Sequence, residues 1–319
     1  MKKIILITGI AGMVGSNLLE KIINSKNLII GIDNFALGEK KFLKKFNNKK
    51  NFFFLKKNLD REIIDKKLEQ IIRKNYLSEI WLLAANSDIQ KGIKDYKVDL
   101  NNTLLTTINS LEFLKNFLQK DTKIIFTSSS AVYGQQIERI SEKLKNKNPL
   151  SNYGIMKLQS EIYLKYYSKI NNINTLIFRF PNVVGPNLTH GLVFDMKKKI
   201  TLKNNNYIQV LGNGEQQKPY SHVSEILDCI FFLKKRKYKK KINYFNIGNN
   251  DVGLKVKEIV KKMVTKFKSK KKILFEKKNI GWVGDIPKYS YSTKKINKLG
   301  FKFKMNSNKS INKIINEIL

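Results

Sequence analysis

The 319-residue chain has one cysteine, Cys229, so no disulfide can form within it. That usage suits a reducing compartment, and a cytoplasmic protein is expected. Its two histidines, His190 and His222, lie far apart and have no cysteine or acidic cluster beside them. The ligand spacing of a zinc site is therefore missing, and no metal is expected. No stretch reaches the roughly 18–20 consecutive apolar residues that span a bilayer, so no membrane partner is expected. The opening run MKKIILITGIAGMVG imitates a secretory leader. Three glycines break it and no small-residue cleavage site follows, so it reads as a buried strand.

Acidic residues are also scarce, with 25 Asp and Glu against 62 Lys and Arg and a net charge of +37. Such a balance raises nucleic-acid binding as a function. The composition argues otherwise. Lysines are spread over the whole chain, nearly all the basic residues are Lys rather than Arg, and Asn and Ile are abundant too. AT-rich codons account for all three. Neither a basic aromatic platform nor a helix-turn-helix pattern accompanies the charge, so no nucleic acid is expected as a partner. A field that favours anionic substrates remains.

Apolar, strand-like runs alternate with helical stretches through the first two thirds. Strands are read at 3–9, 28–34, 51–59, 79–85, 123–130 and 174–180, and helices at 13–25, 65–75, 102–117 and 153–170. Continuous apolar strands separated by helices imply a parallel sheet covered on both faces. The expected fold is α/β: a Rossmann-type doubly wound parallel sheet with a smaller C-terminal α/β lobe for substrate. The boundaries are 1–180 for the large domain and 181–319 for the lobe, with residues 220–249 partly returning to the large domain. Beyond 181 the pattern loosens: a helix is read at 193–204, a strand and turn at 208–220, a strand at 243–249 and a helix at 255–268. The C-terminal tail reads as irregular.

Two local patterns carry chemistry. TGIAGMVGSNL places Gly9, Gly12 and Gly15 directly after the first strand and at the start of the first helix. Such a turn lets backbone approach a pyrophosphate, and the helix N-terminus offers N–H groups to it. Asp33 ends the second strand, where an acid accepts from ribose hydroxyls and repels a 2′-phosphate, so NAD is expected over NADP. Tyr153 and Lys157 stand four apart at the start of a helix and share a face. An ammonium so placed draws a phenol's pKa down from near 10 towards working pH.

These features, in order, resemble the extended short-chain dehydrogenase/reductases of the nucleotide-sugar epimerase/dehydratase family. The matching motifs are Thr8–Gly15, Asp33, LLAA (82–85), SSSAVYG (128–134) and YGIMK (153–157). RFPNVVGP (179–186), GNGEQQKPYSHV (212–223) and GWVGDIP (281–287) extend the likeness over nearly the whole chain. The resemblance implies NAD as cofactor, a nucleotide-sugar substrate, most simply a UDP-hexose, and a homodimer. In the family the catalytic hydroxyl precedes the glycine of the Tyr-Gly pair by five residues, which points to Ser129. It would orient the sugar hydroxyl towards Tyr153, the acid/base, with Lys157 in support.

Dehydratases of the family carry an Asp and a Glu in the next two positions. Ser130 and Ala131 stand there and supply no carboxyl. The resemblance therefore implies 4-epimerisation, in which hydride passes from sugar carbon 4 to bound NAD and back. A dehydratase or reductase of the same family, and a non-catalytic NAD-binding regulatory protein, remain the alternatives. Carried over position by position, the cofactor residues are Gly9, Gly12, Met13, Val14, Gly15, Asp33, Asn34, Asn58, Leu59, Leu83, Ala84, Ala85, Ser87, Asn102, Tyr153, Lys157 and Pro181. The substrate residues are Ser129, Ser130, Asn182, Leu192, Val193, Lys218, Tyr220 and Asp285. Lys218 stands where an Arg is common, and Trp282 near another such Arg. His222 is read as structural.

Overall fold

The computed structural model describes residues 1–136, 139–202, 206–282 and 284–319. The chain forms two compact units: 1–129 with 152–179 and 234–245, and 130–151 with 180–233 and 246–319.

The first unit is built on a seven-stranded sheet. Its strands are β1 (Lys3–Thr8), β2 (Leu28–Asp33), β3 (Phe52–Lys56), β4 (Tyr76–Leu82), β5 (Lys123–Ser129), β6 (Asn174–Phe180) and a last strand, Ile242–Asn246. The spatial order is last strand, β6, β5, β4, β1, β2, β3. β1 pairs in parallel with both β2 and β4, β2 with β3, and β4 with β5. The chain starts in mid-sheet, winds outward to β3, and then crosses back to β4. This is the doubly wound order, and its switch point lies at the C-terminal ends of β1 and β4. Apolar strand sequence explains the arrangement. Ile4, Leu6, Ile30, Ile32, Ile80, Leu82, Ile124 and Phe126 enter one buried cluster with Leu68, Ile72, Leu111 and Leu164 from the covering helices.

Some helix starts carry a side-chain cap. Asp65 accepts the Leu68 N–H at 2.9 Å at the head of Lys66–Arg73, as an N-cap should. The helix read at 102–117 is less regular than its sequence. It opens as a π-helical turn over Leu100–Leu105, continues as α-helix over Thr106–Leu114, and closes as a 3₁₀ turn at Lys115–Phe117.

In the second unit, Asn182–Val184 pairs with Tyr220–His222, Gln217–Lys218 with Leu254–Lys255, and Tyr207–Val210 with Lys272–Phe275. Its core joins Val193, Met196, Ile200, Ile208, Val210, Ile259, Val260 and Met263 to Ile311, Ile314 and Ile315. The last three correct the reading of an irregular tail: Ser307–Glu317 is a helix, capped by the Asn306 carbonyl at 2.9 Å from the Lys309 N–H. The helix read at 193–204 runs from Leu192 to Thr201, and residues 203 and 204 lie outside the described residues.

The division of the chain also differs from a break at 180. Residues 130–151 group with the second unit because Arg139 donates to the Tyr291 and Asn250 carbonyls, at 2.9 and 2.6 Å, and Ile140 bridges to Tyr291. The segment returning to the first unit is 234–245, while Tyr220 stays in the core of the second.

Candidate active site

The turn after β1 is held by Gly9, at φ +71°, whose N–H donates to the Ile32 carbonyl at 2.8 Å. The three glycines are bare for different reasons. A Cβ on Gly9 would lie 2.7 Å from the Ala84 nitrogen, and one on Gly15 2.3 Å from the Gly9 carbonyl oxygen. A Cβ on Gly12 would meet only the Gly9 oxygen, at 3.4 Å. Packing thus demands glycine at 9 and 15 but not at 12. No side chain caps the helix that begins at Met13, and Gly12 is its N-cap residue. The N–H groups of its first turn, among them those of Met13, Val14 and Gly15, are free of intrahelical partners by geometry. Bare backbone beside an uncapped helix start fits the pyrophosphate of a dinucleotide.

Asp33 is buried at the end of β2. Its Oδ2 accepts the Ala11 N–H and its Oδ1 the Phe35 N–H, each at 2.8 Å. Burial pushes the carboxyl above its usual range, against the backbone N–H groups of Phe35, Ala11 and Asn34. Asp33 therefore ties down the glycine turn, and the carboxylate keeps lone-pair capacity for a ribose hydroxyl. Asn34 uses its carbonyl oxygen on the Ala36 N–H at 2.9 Å. At the end of β4, the Thr8 hydroxyl oxygen accepts the Leu83 and Ala84 N–H groups, both at 3.2 Å. Leu83, Ala84 and Ala85 are half-buried there, and Ser87 and Asn58 are exposed. Leu59 is placed differently: its side chain belongs to the buried core. Alternation along the segment turns it inward, so only its backbone is on offer.

At the end of β5 the three serines part. Ser128 donates to Glu161 Oε1 at 2.7 Å. Ser129 hydrogen-bonds to Tyr153. Ser130 begins the second unit and donates to the Tyr289 oxygen at 3.4 Å. Tyr153, Lys157 and Glu161 follow at four-residue steps on the helix Asn152–Ile170. The Lys157 ammonium, on a side chain 2% exposed, donates to the Thr127 carbonyl at 2.7 Å and lies 5.9 Å from the centre of the Tyr153 ring. Burial draws Lys157 down to about 7, opposed by Glu161 and Asp99. Burial and the Asp99 charge push the Tyr153 phenol up, opposed by the Ser129 hydrogen bond. The lysine thus serves the Thr127 carbonyl, and burial holds the proton on the phenol.

Three participants were not picked out from sequence. Glu161 accepts from Arg179 Nε at 2.8 Å and Nη2 at 2.6 Å, a bidentate pair buried behind the lysine. Its signal was present: Glu161 continues the four-residue ladder of Tyr153 and Lys157. Asp99 acts electrostatically on both Tyr153 and Lys157. Asn102, expected at the cofactor, donates its amide to the Val98 carbonyl at 3.1 Å, one turn back on its own helix.

In the second unit, Lys218 pairs with Asp285, whose Oδ2 accepts the Gly281 N–H at 3.0 Å. The Lys218 ammonium lies 5.0 Å from the centre of the Trp282 ring, and the indole Nε1 is buried without a partner. The Tyr220 ring is in the core, and its phenol is pushed up by burial and by the neighbouring Tyr289 and Asp285. Tyr289, pushed up to about 12 by burial, accepts the Asn182 N–H; the Asn182 amide nitrogen is buried and unpaired. Leu192 is half-buried at its helix start, and Pro181 is buried. The Val193 side chain packs into the core with Met196 and Ile200, which leaves its backbone as the part on offer to a substrate. His222 is buried between Glu317, at 2.9 Å from Nε2, and the Ser224 hydroxyl, at 2.7 Å from Nδ1. Among the described residues no group of three His, Cys, Asp or Glu is placed to hold a metal ion, and no helix is long and apolar enough to cross a membrane.

A doubly wound sheet, a glycine turn with an acid after β2, and a Ser-Tyr-Lys set at the end of β5 define a dinucleotide-dependent α/β enzyme. The sequence pattern of the NAD dependent epimerase/dehydratase family matches residues 5–248, and the chain belongs to that family, with NAD as its cofactor. A putative UDP-glucose 4-epimerase of Methanocaldococcus jannaschii is 27% identical over 317 residues, which are 98% of this chain and 97% of that protein. The crystal structure of a Thermotoga maritima UDP-glucose 4-epimerase with UDP-glucose superposes with a TM-score of 0.83 at 21% identity, covering 99% of this chain and 98% of that one. A Bacillus anthracis dTDP-glucose 4,6-dehydratase in complex with NAD superposes almost as well, with a TM-score of 0.80 at 21% identity over 99% of this chain and 96% of that one. The structural likeness shows the fold alone, since epimerase and dehydratase match it alike.

Proposed function

We propose that the protein is an NAD-dependent nucleotide-sugar 4-epimerase acting on a UDP-hexose. The observation that carries this reading is the Ser129–Tyr153 hydrogen bond beside a buried Lys157, with no carboxyl at positions 130 and 131. A 4,6-dehydration needs an acid and a base at carbons 5 and 6. The carboxyl nearest in effect to Tyr153 is Asp99, whose side chain is fully buried and so is not presented to a sugar.

NAD supplies a hydride acceptor and donor and brings a positively charged ring to the site. The chain's residues do the proton work. Tyr153 takes the proton of the sugar's 4-hydroxyl and later returns it. Ser129 orients that hydroxyl and stabilises the phenolate by its hydrogen bond. Lys157 adds positive charge on the same helix face. Lys218 and Tyr220 are assigned to the diphosphate and nucleotide, Asp285 sets the position of Lys218, and Ser130 and Asn182 are assigned to the sugar. Lys keeps the charge of an Arg but lacks its bidentate fork.

A homodimer in the cytoplasm belongs to the same reading. Ile155, Ile162, Tyr166 and Ile170 are exposed on the helix Asn152–Ile170, and their spacing puts them on one face. A second copy offering the same helix would cover that face.

The test is to incubate the protein with UDP-, GDP-, CDP- and dTDP-hexoses, follow products by NMR, and record NADH absorbance in parallel. Epimer interconversion without net NADH is expected, and Tyr153→Phe should lower it by roughly 10²–10⁴-fold while NAD still binds. A stable 4-keto-6-deoxy product would sink the reading, as would full activity in the Phe variant.

A further inference from the structure

Asp99 lies just before the π-helical turn, and none of its side chain is exposed. Its Oδ1 accepts from the Asn86 amide at 2.7 Å. Its Oδ2 is buried with no hydrogen-bond partner. A half-satisfied buried carboxyl is costly to keep. The backbone nevertheless makes room for it: a Cβ on Gly92, in the helix Ile89–Lys94, would sit 1.6 Å from Oδ2. The Asn152 amide donates to the Gly92 carbonyl at 2.9 Å, so that helix is tied to the start of the one carrying Tyr153 and Lys157.

The charged or titratable groups facing Asp99 are Asp88, before the helix Ile89–Lys94, and Lys157 and Tyr153, on the helix Asn152–Ile170. Lys157 faces Asp99 and Glu161. Glu161 is already engaged by Arg179 and Ser128. Asp99 is thus the acid left with an open oxygen to answer the buried ammonium.

We infer that Asp99 is a positioning residue of the Ser129–Tyr153–Lys157 centre, its buried carboxylate setting the pH window in which tyrosine and lysine hold their working protonation states. The inference rests on the epimerase reading of that centre. The charge acts on both partners in one sense. It disfavours the Tyr153 phenolate and favours the Lys157 ammonium, so each holds its proton to higher pH than it would alone. In the pH–rate profile the two limbs report the Tyr153 phenol and the Lys157 ammonium as a coupled pair. A neutral residue at 99 therefore moves both limbs towards acid.

Asp99→Asn keeps the shape and still accepts from Asn86. Its pH–rate bell should shift to lower pH by roughly one unit, with kcat reduced severalfold on the alkaline side and KM within twofold. A second readout needs no turnover: the tyrosinate absorbance of each protein, less that of its Tyr153→Phe counterpart, should rise at lower pH in Asp99→Asn, with and without NAD. An unmoved bell together with an unmoved tyrosinate titration overturns the inference. So do a lowered urea midpoint and a parallel loss in kcat and KM at every pH, which mark a carboxyl that only holds structure. If the parent protein turns over no nucleotide hexose, the epimerase reading fails, and the tyrosinate titration alone decides the role of Asp99.

Discussion

Replacing Gly12 with alanine should leave the protein folded and weaken its hold on the cofactor. Gly12 sits at φ −79° and ψ 174°, a conformation that alanine adopts freely. The new Cβ would meet one protein atom, the Gly9 oxygen, at an ordinary 3.4 Å. Loss of chain entropy in the unfolded state favours the alanine by about 0.4–1 kcal/mol. Alanine is a poorer N-cap than glycine, by about 0.5–1 kcal/mol. The two offset, so the urea midpoint should hardly move. Gly15→Ala is the control: its Cβ would lie 2.3 Å from the Gly9 oxygen and 2.7 Å from the Ile10 Cα. These are backbone atoms that cannot swing aside, and overpacking of this kind costs about 1–3 kcal/mol or more. For binding the ranking reverses in kind. A methyl group on the surface that a pyrophosphate should touch weakens NAD by tenfold or more, about 1.4 kcal/mol. Titration calorimetry with NAD and urea denaturation of both variants separate the effects. An unchanged NAD affinity in Gly12→Ala would refute the assignment of that backbone to the pyrophosphate. A midpoint as low as that of Gly15→Ala would refute the steric argument.

Arg179→Leu should destabilise the protein by about 3–5 kcal/mol, because it strands the Glu161 carboxylate in a site where both side chains are 3% exposed. Adding Glu161→Leu should recover most of that loss in urea denaturation; a double variant as unstable as the single would count against a burial cost. His222 gives a pH dependence of definite sign. Burial lowers its pKa, opposed by Glu317 and Glu225 and reinforced by Lys313. The unfolded chain therefore takes up the proton first, and stability is lost as pH falls through about 6.5 towards the folded value. Melting temperatures from pH 8 to pH 5 should show this slope in the parent and a shallower one in His222→Gln; equal slopes would exclude His222 as the source.

Much of the first unit was legible because its signals are local. The runs KIILIT and LIIGID are buried almost throughout and need no partner to announce a parallel strand. The Gly9–Gly15 turn and Asp33 take their meaning from position after strands one and two. The second unit was harder. Its strands are two to four residues long, too short for period-two alternation to show. The C-terminal helix was a missed local signal, since Ile311, Ile314, Ile315 and Ile318 repeat at helical spacing and all but the last are buried.

Side-chain direction was the least legible property. Leu59 and Val193 each point into a core, and Asn102 turns its amide to its own backbone. Asp99 and Tyr289 carried no motif at all. Their neighbours are distant in sequence, and only folding brings Asp99 within reach of Lys157 and Tyr289 to Ser130.

From sequence alone follow the sheet class, the dinucleotide turn, the preference for an acid after β2, and the spacing that aligns Tyr153 with Lys157. Each depends on residues within one or two turns of chain, where geometry is set by the backbone's own periodicity. Tertiary structure decides the rest: why glycine is obligatory at 9 and 15 but not at 12, and which acids stand around the lysine. Those outcomes depend on contacts between segments tens of residues apart, and on the loss of solvent around charges, neither of which any local pattern encodes.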